Sequence, residues 1–166
     1  MQNPHPLFVH FPLGLLVTAV LCEAVFAFTR RPLADTLSRW LLYAGALGAA
    51  AAALTGWLAS LSVAPVARAA GDLVDHRTFG FLSLGTAAVL AFWRWGTSRA
   101  GGPKPRWLFL AGMLGLLGLL VTAGLEGGEL VYEHGVGTEL TAPGGPLREA
   151  HADSSKKDVP RSSDFR

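Results

Sequence analysis

The chain has 166 residues, of which 51% are hydrophobic and only 16% are charged, and its formal net charge is +2. This composition, with a mean hydropathy of +0.37, excludes an ordinary soluble domain and favours a membrane protein. The small net charge gives no reason to expect nucleic-acid binding, and the single Cys22 excludes an internal disulfide.

Four apolar stretches are long enough to cross a bilayer as helices. They predict an all-α integral membrane protein, a four-helix antiparallel (up-and-down) transmembrane bundle within residues 1–137. The helices are expected at about 7–29, 40–62, 76–96 and 107–134, and residues 138–166 are expected to form a flexible polar tail. No cleavable signal peptide is expected, because the amino terminus lacks Lys and Arg and the first apolar run is too long.

The first helix begins with the stretch His5-Pro6-Leu7-Phe8-Val9-His10-Phe11-Pro12. Pro12 lies far enough in to remove an intrahelical hydrogen bond, so a kink is expected there. Arg30-Arg31-Pro32 ends this helix. The second helix carries small residues three and four apart, which favour close packing of a neighbouring helix or, alternatively, room for a flat cofactor. These residues are Gly45, Gly48, Ala49, Ala52, Ala53 and Gly56.

The third and fourth helices have distinct end signals. Asp75 is predicted as the N-cap of the third helix, with His76 and Arg77 in its first turn. The fourth helix is predicted to continue past the lipid to His134 and to stop at Gly135. It carries small residues followed by three carboxylates on one stripe, and the carboxylates are expected to face inward. These are Gly112, Gly115 and Gly118, then Glu126, Glu129 and Glu133.

The distribution of Lys and Arg predicts the orientation. The two short loops at 30–39 and 96–106 hold most of the basic residues near helix ends. The positive-inside rule places these loops in the cytoplasm and both termini outside, which for a bacterial protein means a multi-pass inner-membrane protein with periplasmic ends.

The histidines of the transmembrane part all fall at the outer end of such a bundle. They are His5, His10, His76 and His134. Ordinary interfacial histidines, with glutamates paired to Arg68 and Arg77, would explain this arrangement without any ligand. A binding site for a cofactor or metal would explain it as well, because ionisable groups at membrane depth are costly and usually have partners.

Two end motifs resemble those of the DUF2231 family of small bacterial transmembrane proteins. The first is His5-Pro6-x-x-Val9-His10-Phe11-Pro12, and the second is Gly128-Glu129-Leu130-Val131-Tyr132-x-His134-Gly135-Val136-Gly137. Glu23 and His76 also fit the resemblance, which covers roughly residues 4–140. Related modules are joined to c-type cytochrome or Rieske domains, which implies a place near respiratory electron transfer and a periplasmic cytochrome or similar redox partner. This chain has no haem-attachment Cys motif of its own.

Three functions remain open. The first is a haem b protein in which two of His10, His76, His134 and His5 ligate iron, with His10 and His76 as the favoured pair. The second is a Zn, Cu or Fe site formed by His10, His76 and His134 with Glu126, Glu129 and Glu133. The third is a cofactor-free accessory or scaffold subunit, which could also form oligomers.

Glu23 lies late in the first helix, about 20 Å of helix rise from His10. It therefore cannot share a ligand shell with the outer histidines. Pairing with Arg30, Arg94 or Arg106 is favoured over a role as a proton-relay carboxylate. No arrangement of nucleophile, base and acid is visible, so an enzyme is not predicted.

Overall fold

Four helices in antiparallel order make up the described part of the chain in the computed structural model. Described are residues 5–62, 70–100, 106–133 and 135, with side chains at 9–58, 71–98, 106–133 and 135. The helices are α1 (His5–Thr29), α2 (Pro32–Ser62), α3 (Ala70–Ala100) and α4 (Arg106–Tyr132). Each helix packs against the next along the chain, and α4 packs back against α1. The helices thus follow one another around the bundle, with α1 and α3 diagonal, and the predicted all-α bundle is confirmed.

Two helices begin earlier than predicted. α2 begins at Pro32 rather than at about residue 40, because proline suits the first helical position and Asp35 lies in the first turn. The expected 30–39 loop is therefore only Arg30 and Arg31, and Arg30 makes the turn with a φ of 58°. α3 begins at Ala70, so the prediction of Asp75 as its N-cap is wrong: Asp75 lies inside the helix.

The other helix ends agree more closely with the sequence. α1 is helical through Pro12 and ends at Thr29. α4 ends at Tyr132, and Gly135 has a φ of 63° while its N–H donates to the carbonyl of Val131. This is the left-handed helix stop predicted for Gly135. His134 and the predicted tail at 138–166 lie outside the described residues.

Small residues bring neighbouring helices close together. A Cβ on Gly45 would lie 2.6 Å from Leu16 Cδ2, and one on Gly48 would lie 3.1 Å from the Cβ of Pro12. Gly45 and Gly48 of α2 therefore serve packing against α1, as the sequence favoured. In α4, Gly112 packs against Leu90 of α3 in the same way. The buried core contains Leu16, Ala19, Val20, Leu42, Ala87, Leu90, Phe109, Met113 and Leu116.

Three of the helices are long and apolar enough to cross a membrane. These spans are Val9–Thr29, Pro32–Leu58 and Arg106–Tyr132. α3 falls below this limit, since it carries charged residues including Arg94, yet it exposes large apolar side chains such as Phe81, Val89 and Phe92. Arg94 itself is buried inside the bundle and paired, so the lipid does not meet its charge. The chain is an integral membrane protein with a helical bundle.

Candidate functional site

The two ends of the bundle carry different side chains. At the arginine-rich end, where α1 and α3 end and α2 and α4 begin, lie Arg30, Arg31, Arg39, Arg94 and Arg106. At the opposite end, called the histidine end, lie the first turns of α1 and α3 and the last turns of α4. His10, His76 and the three glutamates of α4 are at this end.

Arg94 is the centre of a buried ionic cluster at the arginine-rich end. Its Nη1 donates to Glu23 Oε2 of α1 at 3.2 Å, and its Nη2 donates to the carboxylate of Asp35 on α2. The guanidinium carbon lies 5.0 Å from the ring centroid of Phe109 on α4. One side chain of α3 therefore contacts all three other helices, and it crosses the diagonal to reach α1.

Ser38 completes this cluster. Its hydroxyl donates to Glu23 Oε2 at 2.8 Å, and Glu23, Ser38 and Arg94 are all nearly inaccessible to solvent. A buried ion pair stabilises only when its groups are well hydrogen-bonded, and removing one partner costs about 3–5 kcal/mol. The predicted pairing of Glu23 with an arginine is confirmed, and the arginine is Arg94.

Asp35 and Ser38 are the polar members that the sequence did not indicate. The residues from 30 to 39 were expected to form a loop, which hid the fact that Asp35 and Ser38 lie one turn apart on α2. A helix starting at Pro32 would have placed both on one face, where Ser38 meets Glu23 and Asp35 meets Arg94. Arg94 was identifiable because it is a charged residue within an otherwise apolar helix.

His76 faces α4 at the histidine end. Its Nδ1 lies 3.0 Å from the carbonyl oxygen of Ala123. Because a carbonyl oxygen only accepts, Nδ1 carries the proton and donates, and in the neutral imidazole Nε2 is the nitrogen with the lone pair. Its imidazole lies over Gly127, where an added Cβ would be 3.0 Å from Cε1 and 3.1 Å from Nδ1. The ring is half-buried between α3 and α4.

The other predicted site residues are placed differently. His10 is exposed on α1, although it has an interaction within the protein. Glu126 is half-buried, whereas Glu129 and Glu133 are exposed. The expectation that all three carboxylates turn inward is therefore wrong for Glu129 and Glu133. In the last turn of α4 the buried side chain is that of Leu130. The side chain of His5 and the whole of His134 lie outside the described part.

Among the residues that the structure describes, no three His, Cys, Asp or Glu side chains lie close enough together to hold a metal ion. At the histidine end, His76 contacts the carbonyl of Ala123 and lies over Gly127. The arrangement there thus offers one anchored imidazole on α3.

A helical bundle with long apolar spans, exposed apolar side chains on every helix and a buried, internally paired arginine defines a polytopic membrane protein. The chain belongs to the DUF2231 family, described as a predicted membrane protein, whose model matches residues 2–140. No curated protein and no solved structure matches it.

Proposed function

We propose that this chain is a haem b protein of the bacterial inner membrane, with the haem held at the histidine end and serving in or near respiratory electron transfer. The observation that carries the proposal is the hydrogen bond from His76 Nδ1 to the carbonyl oxygen of Ala123. Bound haem b would supply one-electron redox chemistry, and the residues of the chain would hold and orient the ring.

His76 has the features of a metal-binding histidine. Imidazole ligands almost always donate their second ring N–H to a carbonyl or carboxylate, which fixes the tautomer and orients the ring. Here the carbonyl of Ala123 fixes Nδ1 as the protonated nitrogen, so Nε2 is the nitrogen that can ligate iron. The missing side chain of Gly127 gives the imidazole its place beside α4.

A second histidine that would hold the haem together with His76 would come from another helix. α1 is suited to supply it, because α1 lies diagonal to α3 across the bundle. His10 and His5 are the two candidates on α1. His10 is exposed. It lies thirteen residues before the inward-facing Glu23, so the two side chains point about 140° apart around α1.

Helix register favours position 5 as the partner of His76. Position 76 is eighteen residues before Arg94, and position 5 is eighteen residues before Glu23. Eighteen residues make about five whole turns and about 27 Å of rise. Because Glu23 and Arg94 meet across the diagonal, this equal spacing supports position 5 as the partner of His76.

The proposal is tested by optical spectra of the full chain, expressed with ample haem and purified from membranes. Reduced-minus-oxidised bands of a low-spin haem b, about one per chain, are expected. His76→Ala should lose the haem, while its exposed neighbour Arg77→Ala should keep it. Of the two α1 variants, His5→Ala should lose low-spin haem and His10→Ala should retain it.

The contrary outcomes point to the other functions. A wild-type protein without haem bands rules out the haem proposal. Stoichiometric Zn, Cu or Fe by elemental analysis of that protein would then assign a metal site that includes His76. If neither haem nor metal is found, the chain serves as a cofactor-free accessory or scaffold subunit of the membrane.

A further inference from the structure

Arg106 differs from Arg94 in having no anion beside it. It is the first residue of α4 and is half-buried. Its Nε and Nη1 atoms are buried and have no hydrogen-bond partner, and among the described residues no carboxylate lies within salt-bridge distance of its guanidinium. Buried guanidinium donors without a hydrogen-bond partner are costly, and an anionic partner would satisfy them.

The surroundings of Arg106 combine charge with exposed aromatic surface. Its guanidinium carbon lies 4.8 Å from the ring centroid of Trp107, and Trp107 meets Phe28 of α1 edge to face, with 5.5 Å between the ring centroids. Phe28 is 75% exposed and Trp107 is 56% exposed. These two rings line the surface where α1 and α4 meet at the arginine-rich end.

Two further cations lie close to Phe28 in the chain. Arg30 and Arg31 lie two and three residues after Phe28, just beyond the end of α1, and both are exposed. The left-handed turn at Arg30 reverses the chain there. Phe28 touches Trp107, the residue after Arg106, so the contact draws the end of α1 to the start of α4. Arg106, Arg30 and Arg31 are therefore all close in the chain to one of these two exposed aromatic residues, at the same end of the bundle.

We propose that this surface, made of Arg30, Arg31, Phe28, Arg106 and Trp107, binds the headgroup of an anionic phospholipid. A guanidinium matches a phosphate through paired N–H donors. Basic surfaces beside the ends of membrane-spanning helices attract anionic headgroups, and Trp residues lie at the same depth. The exposed rings of Phe28 and Trp107 favour a lipid over free phosphate, because only a lipid brings acyl chains to cover them.

The test uses the full-length protein in detergent, with thermal unfolding and native mass spectrometry as readouts. Phosphatidylglycerol should raise the melting temperature and remain bound, whereas phosphatidylcholine and inorganic phosphate should do neither. Arg106→Gln should weaken phosphatidylglycerol binding by about five- to tenfold. The matched control is Arg77→Gln, an exposed arginine at the histidine end, which should bind the lipid as the wild type does.

Each contrary result overturns the assignment. Equal retention of phosphatidylglycerol and phosphatidylcholine by the wild type would show that charge is not recognised. Equal stabilisation by inorganic phosphate would assign the surface to a free anion. Unchanged lipid affinity in Arg106→Gln would remove this residue from the site. The comparison of lipids on the wild type stands even if the variant does not fold.

Discussion

The arginine-rich end and the histidine end of the bundle differ in how they use polar side chains. At the former, Arg94 is paired with Glu23 and Asp35 and contacts every other helix. At the latter, His76 is held by one hydrogen bond and sits over a glycine, and its neighbour Arg77 is exposed. Polar groups that join helices to one another serve stability, whereas an anchored imidazole with an available nitrogen suits a ligand.

The two ends of the bundle also differ in where their buried side chains lie. The core cluster extends from the middle of the bundle toward the arginine-rich end, where Leu42, Phe109 and Met113 are buried. Among the side chains that the structure describes, those buried toward the histidine end are more scattered, and they include Pro12, Ala52, Ser83 and Leu130. Substitutions at the arginine-rich end should therefore change stability. Substitutions at the histidine end should change ligand binding with little effect on stability.

Arg94→Ala is expected to have the largest effect. It leaves the buried carboxylate of Glu23 without its cation and breaks the ion pair with Asp35, so the free energy of unfolding should fall by about 3–5 kcal/mol. Denaturant titration of the purified protein in detergent would measure it. Arg77→Ala, an exposed arginine of the same helix, is the control. If both variants unfolded at the same denaturant concentration, the cluster would not hold the bundle together.

Gly45→Ala should be the next most destabilising change. Its new Cβ would lie 2.6 Å from the side chain of Leu16, which is fully buried and has little room to move. Overpacking of this kind costs about 1–3 kcal/mol. Gly115→Ala on α4 is the matched control, because no atom lies within 4 Å of its added Cβ. A Gly45→Ala protein as stable as that control would disprove close packing of α1 on α2.

Ser38→Ala should have a smaller effect at the same end. The variant loses the 2.8 Å hydrogen bond to Glu23 Oε2, but Arg94 still pairs with that carboxylate. A loss of about 0.5–1.5 kcal/mol is expected from the same unfolding titration. Thr18→Ala removes a hydroxyl that bonds only within its own helix, to the carbonyl of Gly14, and serves as the comparison. A larger loss in Thr18→Ala than in Ser38→Ala would contradict the assigned role of Ser38.

The sequence predicted the architecture better than the positions of side chains. Long apolar runs, Gly45 and Gly48 as packing residues, and Gly135 as a helix stop follow from local chemistry. Helix faces were harder to predict, because in a membrane both the core side and the lipid side of α1 are apolar. The exposure of His10 was therefore not visible in the apolar pattern, and neither was the burial of Ser38.

Binding of haem by Gly127→Ala and Gly128→Ala proteins tests the central claim about the histidine end most directly. A Cβ at 127 would crowd the imidazole of His76 and displace it from Ala123, whereas one at 128 meets no atom within 4 Å. Haem titration should give about tenfold weaker binding for Gly127→Ala, equivalent to about 1.4 kcal/mol, and wild-type binding for Gly128→Ala, with both proteins folded. Equal haem affinity in the two variants, or no haem in the wild type, would contradict the account.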